Sequence, residues 1–213
     1  MLVDQLLRSP RARVYLDEMT ERMSREETAR RQFRETMNED TRAEFINGEV
    51  YVHSPARYIH NRTAERVYRL LDAATSRRGL GVVGHEKYLV ALTRNDVEPD
   101  VCYWSREKSD AFTSDQMLFP APDLVVEVLS SSTAALDRGV KFDDYAAHGV
   151  REYWIVDADA RVIEQHVLCG DAYELRLKSS DGTLACQAIP GLNFNVMAIF
   201  DDTENHRAVD AFR

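Results

Sequence analysis

The run Leu124-Val125-Val126-Glu127-Val128-Leu129 constrains the fold more than any other segment. A near-continuous apolar stretch of this length is the mark of a strand covered on both faces. Ser130 to Thr133 then offer N-caps for a helix reaching about His148, and Gly149 suits its left-handed C-terminal residue. Tyr153-Trp154-Ile155-Val156 reads as the next strand. Strand, helix, strand in this order implies a parallel pair joined by a right-handed crossover, so an α/β protein is expected.

The flanking sequence fits that frame. Ala43 to Val52 is two β-prone runs around Asn47-Gly48, whose readiness to take positive φ predicts a hairpin. After Ser54-Pro55 a helix is expected to about Arg77, with Ile59, Thr63, Val67, Leu70, Leu71 and Ala74 on one face. Strands are expected at about 82–92 and 97–103, around the turn-like Thr93 to Asp96. Antiparallel strands follow at about 162–168, 172–177 and 184–189, and the signal weakens past Leu192. Upstream, residues from about Pro10 to Met37 read as helix, broken near Ser24, where Ser24 to Glu27 matches a capping box. Its sparse apolar positions Val14, Met19, Met23, Phe33 and Met37 suggest an arm packing on the body or on a second subunit. The expected organisation is a helical arm over 1–40, a main domain over 41–200 and a tail over 201–213.

A net charge of -9 argues against a general nucleic-acid coat, since phosphate binding is driven by lysine and arginine. Any such contact must be local or metal-assisted. Arg57, Arg62, Arg66 and Arg69 are either its source or simply a solvated helix face. Cys102, Cys169 and Cys186 show neither disulfide nor zinc spacing, which fits a reducing cytoplasm. The N-terminal stretch lacks a signal-peptide core, and no run approaches the roughly 18 apolar residues of a membrane span. A cytoplasmic protein without a membrane partner is expected.

Burying an unpaired carboxylate costs several kcal/mol, so Glu127 requires a metal or a basic side chain nearby. Asp100, after Pro99, is the other carboxylate that interrupts a β run. Asp123 shares a strand with Glu127 and suits strand entry, which favours Asp100 as its companion. Two carboxylates converging from neighbouring strands form the hard-oxygen setting that Mg2+ or Mn2+ prefers, and such a site can hydrolyse phosphodiesters. The helix after Glu127 supplies one lysine, Lys141. His85, Glu86 and Lys87 lie on the preceding strand, where the register decides whether Glu86 or Lys87 lines the site.

Pro99-Asp100 followed by Glu127 on an apolar strand resembles the PD-(D/E)XK nuclease pattern. More specific is the succession Glu44 to Glu49, His60, Glu98-Pro99-Asp100-Val101 and Pro122 to Ser130. It continues through Asp137, Lys141, Tyr145, Gly149-Val150 and Glu152 to Asp157. Together these resemble the Uma-type family of restriction endonucleases over roughly residues 41 to 200. The resemblance implies a restriction-endonuclease-like mixed sheet flanked by helices, and Mg2+-dependent cleavage of DNA, with Mn2+ as a substitute. It implies Asp100 and Glu127 as metal ligands and Lys141 as the catalytic lysine, with Glu44 and His60 supporting them. The superfamily lysine two residues after the glutamate is absent, since Leu129 stands there. Bland readings stand beside these roles: a solvated Lys141, a cross-strand Glu44, a locally capping His60 and a core Tyr145. A binding module without catalysis and a nucleotide phosphohydrolase are the competing functions. Homodimerisation is open, because paired sites suit double-strand cleavage and the arm carries spare apolar surface.

Overall fold

The computed structural model describes residues 2–38 and 40–212. Met1 and Glu39 of the expected arm, and Arg213 of the expected tail, lie outside the described residues. In chain order the elements are α1 (Leu2–Leu7), α2 (Ala12–Thr36), β1 (Ala43–Ile46), β2 (Glu49–Val52), α3 (Tyr58–Thr75), β3 (Gly81–His85) and β4 (Leu89–Ala91). Then come β5 (Asp96–Val97), β6 (Val101–Ser105), α4 (Arg106–Ser109), β7 (Leu118–Phe119), β8 (Leu124–Val128), α5 (Ala134–Asp137) and α6 (Val140–Ala147). The chain ends with β9 (Glu152–Asp157), β10 (Val162–Cys169), β11 (Ala172–Ser179), β12 (Thr183–Ala185), β13 (Asn193–Asn195), a 3-10 turn (Val196–Ile199) and α7 (Asp202–Asp210). The chain divides into two units, Met1–His53 with Thr93–Asp96, and Ser54–Leu92 with Val97–Arg213.

In the first unit β1 and β2 pair antiparallel around Asn47-Gly48, whose φ angles of 51° and 89° make the tight turn that the sequence predicts. Phe45 of β1 pairs with Asp96. α2 runs unbroken through Ser24, contrary to the expected interruption. The i,i+4 pairs Asp17–Arg13, Glu18–Arg22 and Glu21–Arg25 support its exposed face. Its far end is anchored by Phe33, which packs on Phe45, and by Arg30 and Arg34, which both grip the fully buried carboxylate of Asp96. Burial alone would raise the Asp96 pKa, but the hydrogen bonds from Arg34 and Arg30 hold it below the ordinary aspartate value. Removing either arginine would unbalance a buried ion cluster, at a cost of about 3 kcal/mol.

The second unit is built on a six-stranded sheet ordered β11-β10-β9-β8-β6-β3. β8 and β9 are parallel, as the strand-helix-strand order requires, and the other pairings are antiparallel. Every residue of β8 is buried. Val67, Leu70 and Leu71 of α3 join Val101, Val126, Trp154, Val156 and Ile199 in one core cluster. Each such side chain contributes on the order of 1.5–3 kcal/mol by leaving water. Gly81 opens β3 with φ +144°, where a Cβ would lie 2.0 Å from the Trp104 carbonyl oxygen, so only glycine fits.

Three sequence expectations are refined. The strand expected over 82–92 is two strands, because Glu86 and Lys87 both take left-handed φ angles, 53° and 52°. The helix expected over 130–148 is split into α5 and α6 around Arg138 and Gly139. The strand expected over 184–189 stops at Ala185, and Leu184 pairs with Phe194 of β13. Past Leu192, α7 is capped by the Asp201 carboxylate, which accepts from the Thr203 and Glu204 amides. The buried Asn205 amide donates to the carbonyls of Arg66 and Ala198, tying α7 to α3 and the 3-10 turn. Among the described residues no helix is long and apolar enough to cross a membrane.

Candidate active site

Antiparallel pairing sets Val101 of β6 opposite Val126 of β8, so Asp100 and Glu127 sit just beyond the last rung of that ladder. There the two residues interlock. The Asp100 amide lies 3.4 Å from Glu127 Oε2, and the Val128 amide donates to Asp100 Oδ2 at 2.7 Å. The backbone of each strand therefore helps hold the acid of the other, and the two carboxylates converge.

α6 brings cationic charge to the pair. Lys141 Nζ donates to Glu127 Oε1 at 3.1 Å and lies 3.5 Å from Asp137 Oδ1, with Lys141 only 3% exposed. Tyr145, one turn further on the same helix face, donates its hydroxyl to the same Glu127 Oε1 at 3.0 Å. The fully buried Tyr145 ring is packed edge-on against Tyr153, whose hydroxyl donates to the Asp137 carbonyl. α5 and α6 are thus docked on the sheet at the point where the glutamate emerges.

From the first turn of α3, His60 Nε2 reaches to 3.2 Å from Asp100 Oδ1, while its buried Nδ1 has no hydrogen-bond partner among the described residues. The pair shifts both groups. Burial would lower the histidine pKa, but the Asp100 hydrogen bond and charge, joined by Glu86 and Asp137, carry it above the ordinary value. Burial would raise the aspartate pKa, but His60, the Val128 amide and Lys141 hold it below the ordinary value. Nearby, burial first and then the Glu127 charge push the Cys102 thiol well up, so it stays protonated.

The second unit therefore brings His60, Asp100, Glu127 and Lys141 into one constellation. Glu44 belongs to the first unit, where it is buried in β1 opposite Tyr51 with its carboxylate 3.9 Å from His53 Nε2. Asp123 lies at the other end of β8, where it accepts from the Ser105 amide and pairs with Lys108 and Arg151. The left-handed kink at Glu86-Lys87 borders the site, since the Glu86 amide donates to the Asp100 carbonyl. Arg57, Arg62, Arg66 and Arg69 each meet a carboxylate: Asp159, Asp202 with Glu65, Asp202, and Glu65 respectively. Each of the four is thus ion-paired within the protein, and Arg62 and Arg66, at 20% and 13% exposed, do not form a freely solvated face. Tyr145, which the sequence alone favours as core, is both core and a partner of Glu127. Its spacing of four from Lys141 was the legible signal.

The mixed sheet with flanking helices, and an acid pair at the β6–β8 junction, define a restriction-endonuclease-like protein. The family described as "Putative restriction endonuclease" (Uma2) matches residues 26–197, and the chain belongs to that family. The match begins inside α2, ahead of residue 41. "Uncharacterized protein sll1609" of Synechocystis sp. is 30% identical over 132 residues, 61% of this chain and 74% of that protein. The crystal structure of a "putative nuclease belonging to DUF820" from Anabaena variabilis superposes with a TM-score of 0.68 at 13% identity, over 79% of this chain and 94% of that one. At that identity the likeness shows the fold.

Proposed function

We propose that the second unit is a Mg2+-dependent endonuclease that hydrolyses phosphodiester bonds in DNA. One observation carries the reading: the carboxylates of Asp100 and Glu127 converge from neighbouring strands with Lys141 hydrogen-bonded to one of them. Among the described residues no group of three or more His, Cys, Asp or Glu side chains is arranged to hold a metal ion. A two-carboxylate set nevertheless fits Mg2+ or Mn2+, which retain several waters and take further oxygens from substrate phosphate. It does not fit zinc, whose structural and catalytic sites draw on three or four protein ligands.

Asp100 and Glu127 are the residues that would hold the ion. Bound Mg2+ or Mn2+ supplies Lewis acidity toward phosphate and an acidified water. The chain's own part is electrostatic and positional. Lys141, released from Glu127, offers an ammonium to a phosphate oxygen and stabilises charge that builds there. His60 fixes the orientation of Asp100 and keeps its carboxylate ionised. Buried Asp137 gives Lys141 a second anionic contact inside the protein.

The test is cleavage of supercoiled and single-stranded DNA with Mg2+ or Mn2+, comparing wild type with identically prepared Asp100→Ala and Glu127→Ala. Both variants are expected to lose about a hundred- to a thousand-fold in rate, as when a principal electrostatic group is removed. Wild-type activity surviving in either variant would defeat the assignment. A second reading, a nucleic-acid-binding module of the same fold without useful catalysis, draws on the net charge of -9 and on Leu129, which stands where the superfamily lysine would be. A melting temperature that fails to rise with Mn2+ in wild type, together with no cleavage, would favour it.

A further inference from the structure

Lys141 and Tyr145 donate to one and the same oxygen, Glu127 Oε1, at 3.1 Å and 3.0 Å. The other oxygen, Oε2, is the one turned toward the Asp100 amide. The two donors differ in kind. The lysine is charged, sits on a flexible four-carbon stem and has a second carboxylate, Asp137, within 3.5 Å. The tyrosine is neutral, and its ring is fixed by complete burial and by the Tyr153 ring 5.2 Å away. Drawing Lys141 away takes a charged donor from Oε1, and a buried carboxylate oxygen resists that loss the less, the more firmly another donor stays on it. A fixed hydroxyl removes that obstacle without neutralising the carboxylate.

We infer that Tyr145 is a positioning residue that holds Glu127 by Oε1, keeps Oε2 turned toward Asp100, and so frees Lys141 to exchange the glutamate for an oxygen of the substrate phosphate. The inference deepens the nuclease reading and rests on it. It also explains the two residues together: they share a helix face four apart, and one holds the glutamate while the other departs from it. A tyrosine that merely fills the core would be replaced by phenylalanine at little consequence, since the ring and its packing remain.

The experiment compares full-length wild type, Tyr145→Phe and Lys141→Ala by calorimetric titration with Mn2+ alone and by steady-state cleavage of a DNA duplex. Tyr145→Phe is expected to bind Mn2+ about ten-fold more weakly, as is typical when a group orienting a metal ligand is lost. It should also lower kcat by about ten-fold or more with the KM for DNA unchanged. Lys141→Ala, which removes a cation and leaves the hydroxyl in place, is expected to bind Mn2+ at least as tightly as wild type. Tyr145→Phe with wild-type Mn2+ affinity and wild-type kcat overturns the inference, as does weaker Mn2+ binding in Lys141→Ala but not in Tyr145→Phe. If wild type binds Mn2+ but cleaves no DNA, the nuclease reading falls and, with no substrate to receive Lys141, the exchange role falls with it. Wild type cleaving normally beside an unaffected Tyr145→Phe overturns the Tyr145 role alone.

Discussion

Two buried glutamates stand on neighbouring strands of the same sheet, Glu127 on β8 and Glu152 on β9, and they are satisfied in opposite ways. Glu152 accepts from the Trp154 indole, the Gln165 amide, the Cys186 thiol and the backbone amides of Gln187 and Ala188. Those donors are neutral, and two of them are backbone groups that cannot turn away. Glu127 is held by a lysine on a long stem, a phenol and one longer contact to the Asp100 amide, with a second carboxylate converging on it. Burial of a carboxylate is therefore not itself a sign of chemistry. What separates a clamp from a site is whether the donors can be exchanged for something else.

Exchanging each glutamate for its amide tests that distinction, and the larger effect falls on the residue without catalytic company. Glu152→Gln sets an NH2 group against at least two N–H or S–H donors, whichever way the amide turns. It is expected to cost about 3 kcal/mol and about 6–12 °C in melting temperature. Glu127→Gln removes one negative charge from a cluster that also holds Asp100 and Asp137, while Asp137 remains beside Lys141. Its stability should stay within about 1 kcal/mol of wild type even as cleavage is lost. Thermal denaturation of the two variants side by side reads the comparison. Equal destabilisation would show that Glu127 is as much a structural clamp as Glu152.

Much of this was legible in the sequence, and the parts that were not have physical causes. A single carboxylate inside Leu124 to Leu129 announced a demand for a partner, and Pro99-Asp100 named the neighbouring strand, because both signals are local. The turn at Asn47-Gly48 and the parallel β8–β9 pair follow from equally local chemistry. Which donors meet each acid depends on register and on where α6 docks, and neither is written in a run of residues. Glu152 heads an apolar run much as Glu127 interrupts one, yet its donors come from as far as residue 188. The kink at Glu86-Lys87 was hidden because neither residue is one that ordinarily takes a left-handed conformation. α7 was passed over as tail because its nine residues are mostly polar and its N-cap, Asp201, sits among other acids.

The smaller test is one of pH, and it separates the same two regions by what their partners can do. His60 has a folded-state pKa above its unfolded value of about 6.5, so its contribution is fully present below that pH and is lost as pH rises through the folded value. Asp100 has a folded-state pKa below its unfolded value of about 3.9, so its contribution is present above that pH and is lost as pH falls through the folded value. The stability gap between wild type and His60→Gln should thus be widest between about pH 4 and 6.5, at about 1–2 kcal/mol, and close in alkaline solution. The deficit of Glu152→Gln should instead stay flat from pH 6 to about 9, because its amide and indole donors do not titrate and burial keeps the Cys186 thiol protonated. Urea denaturation at a series of pH values reads both curves. A His60→Gln gap that persists at alkaline pH would mean that His60 acts by packing rather than by its charge on Asp100.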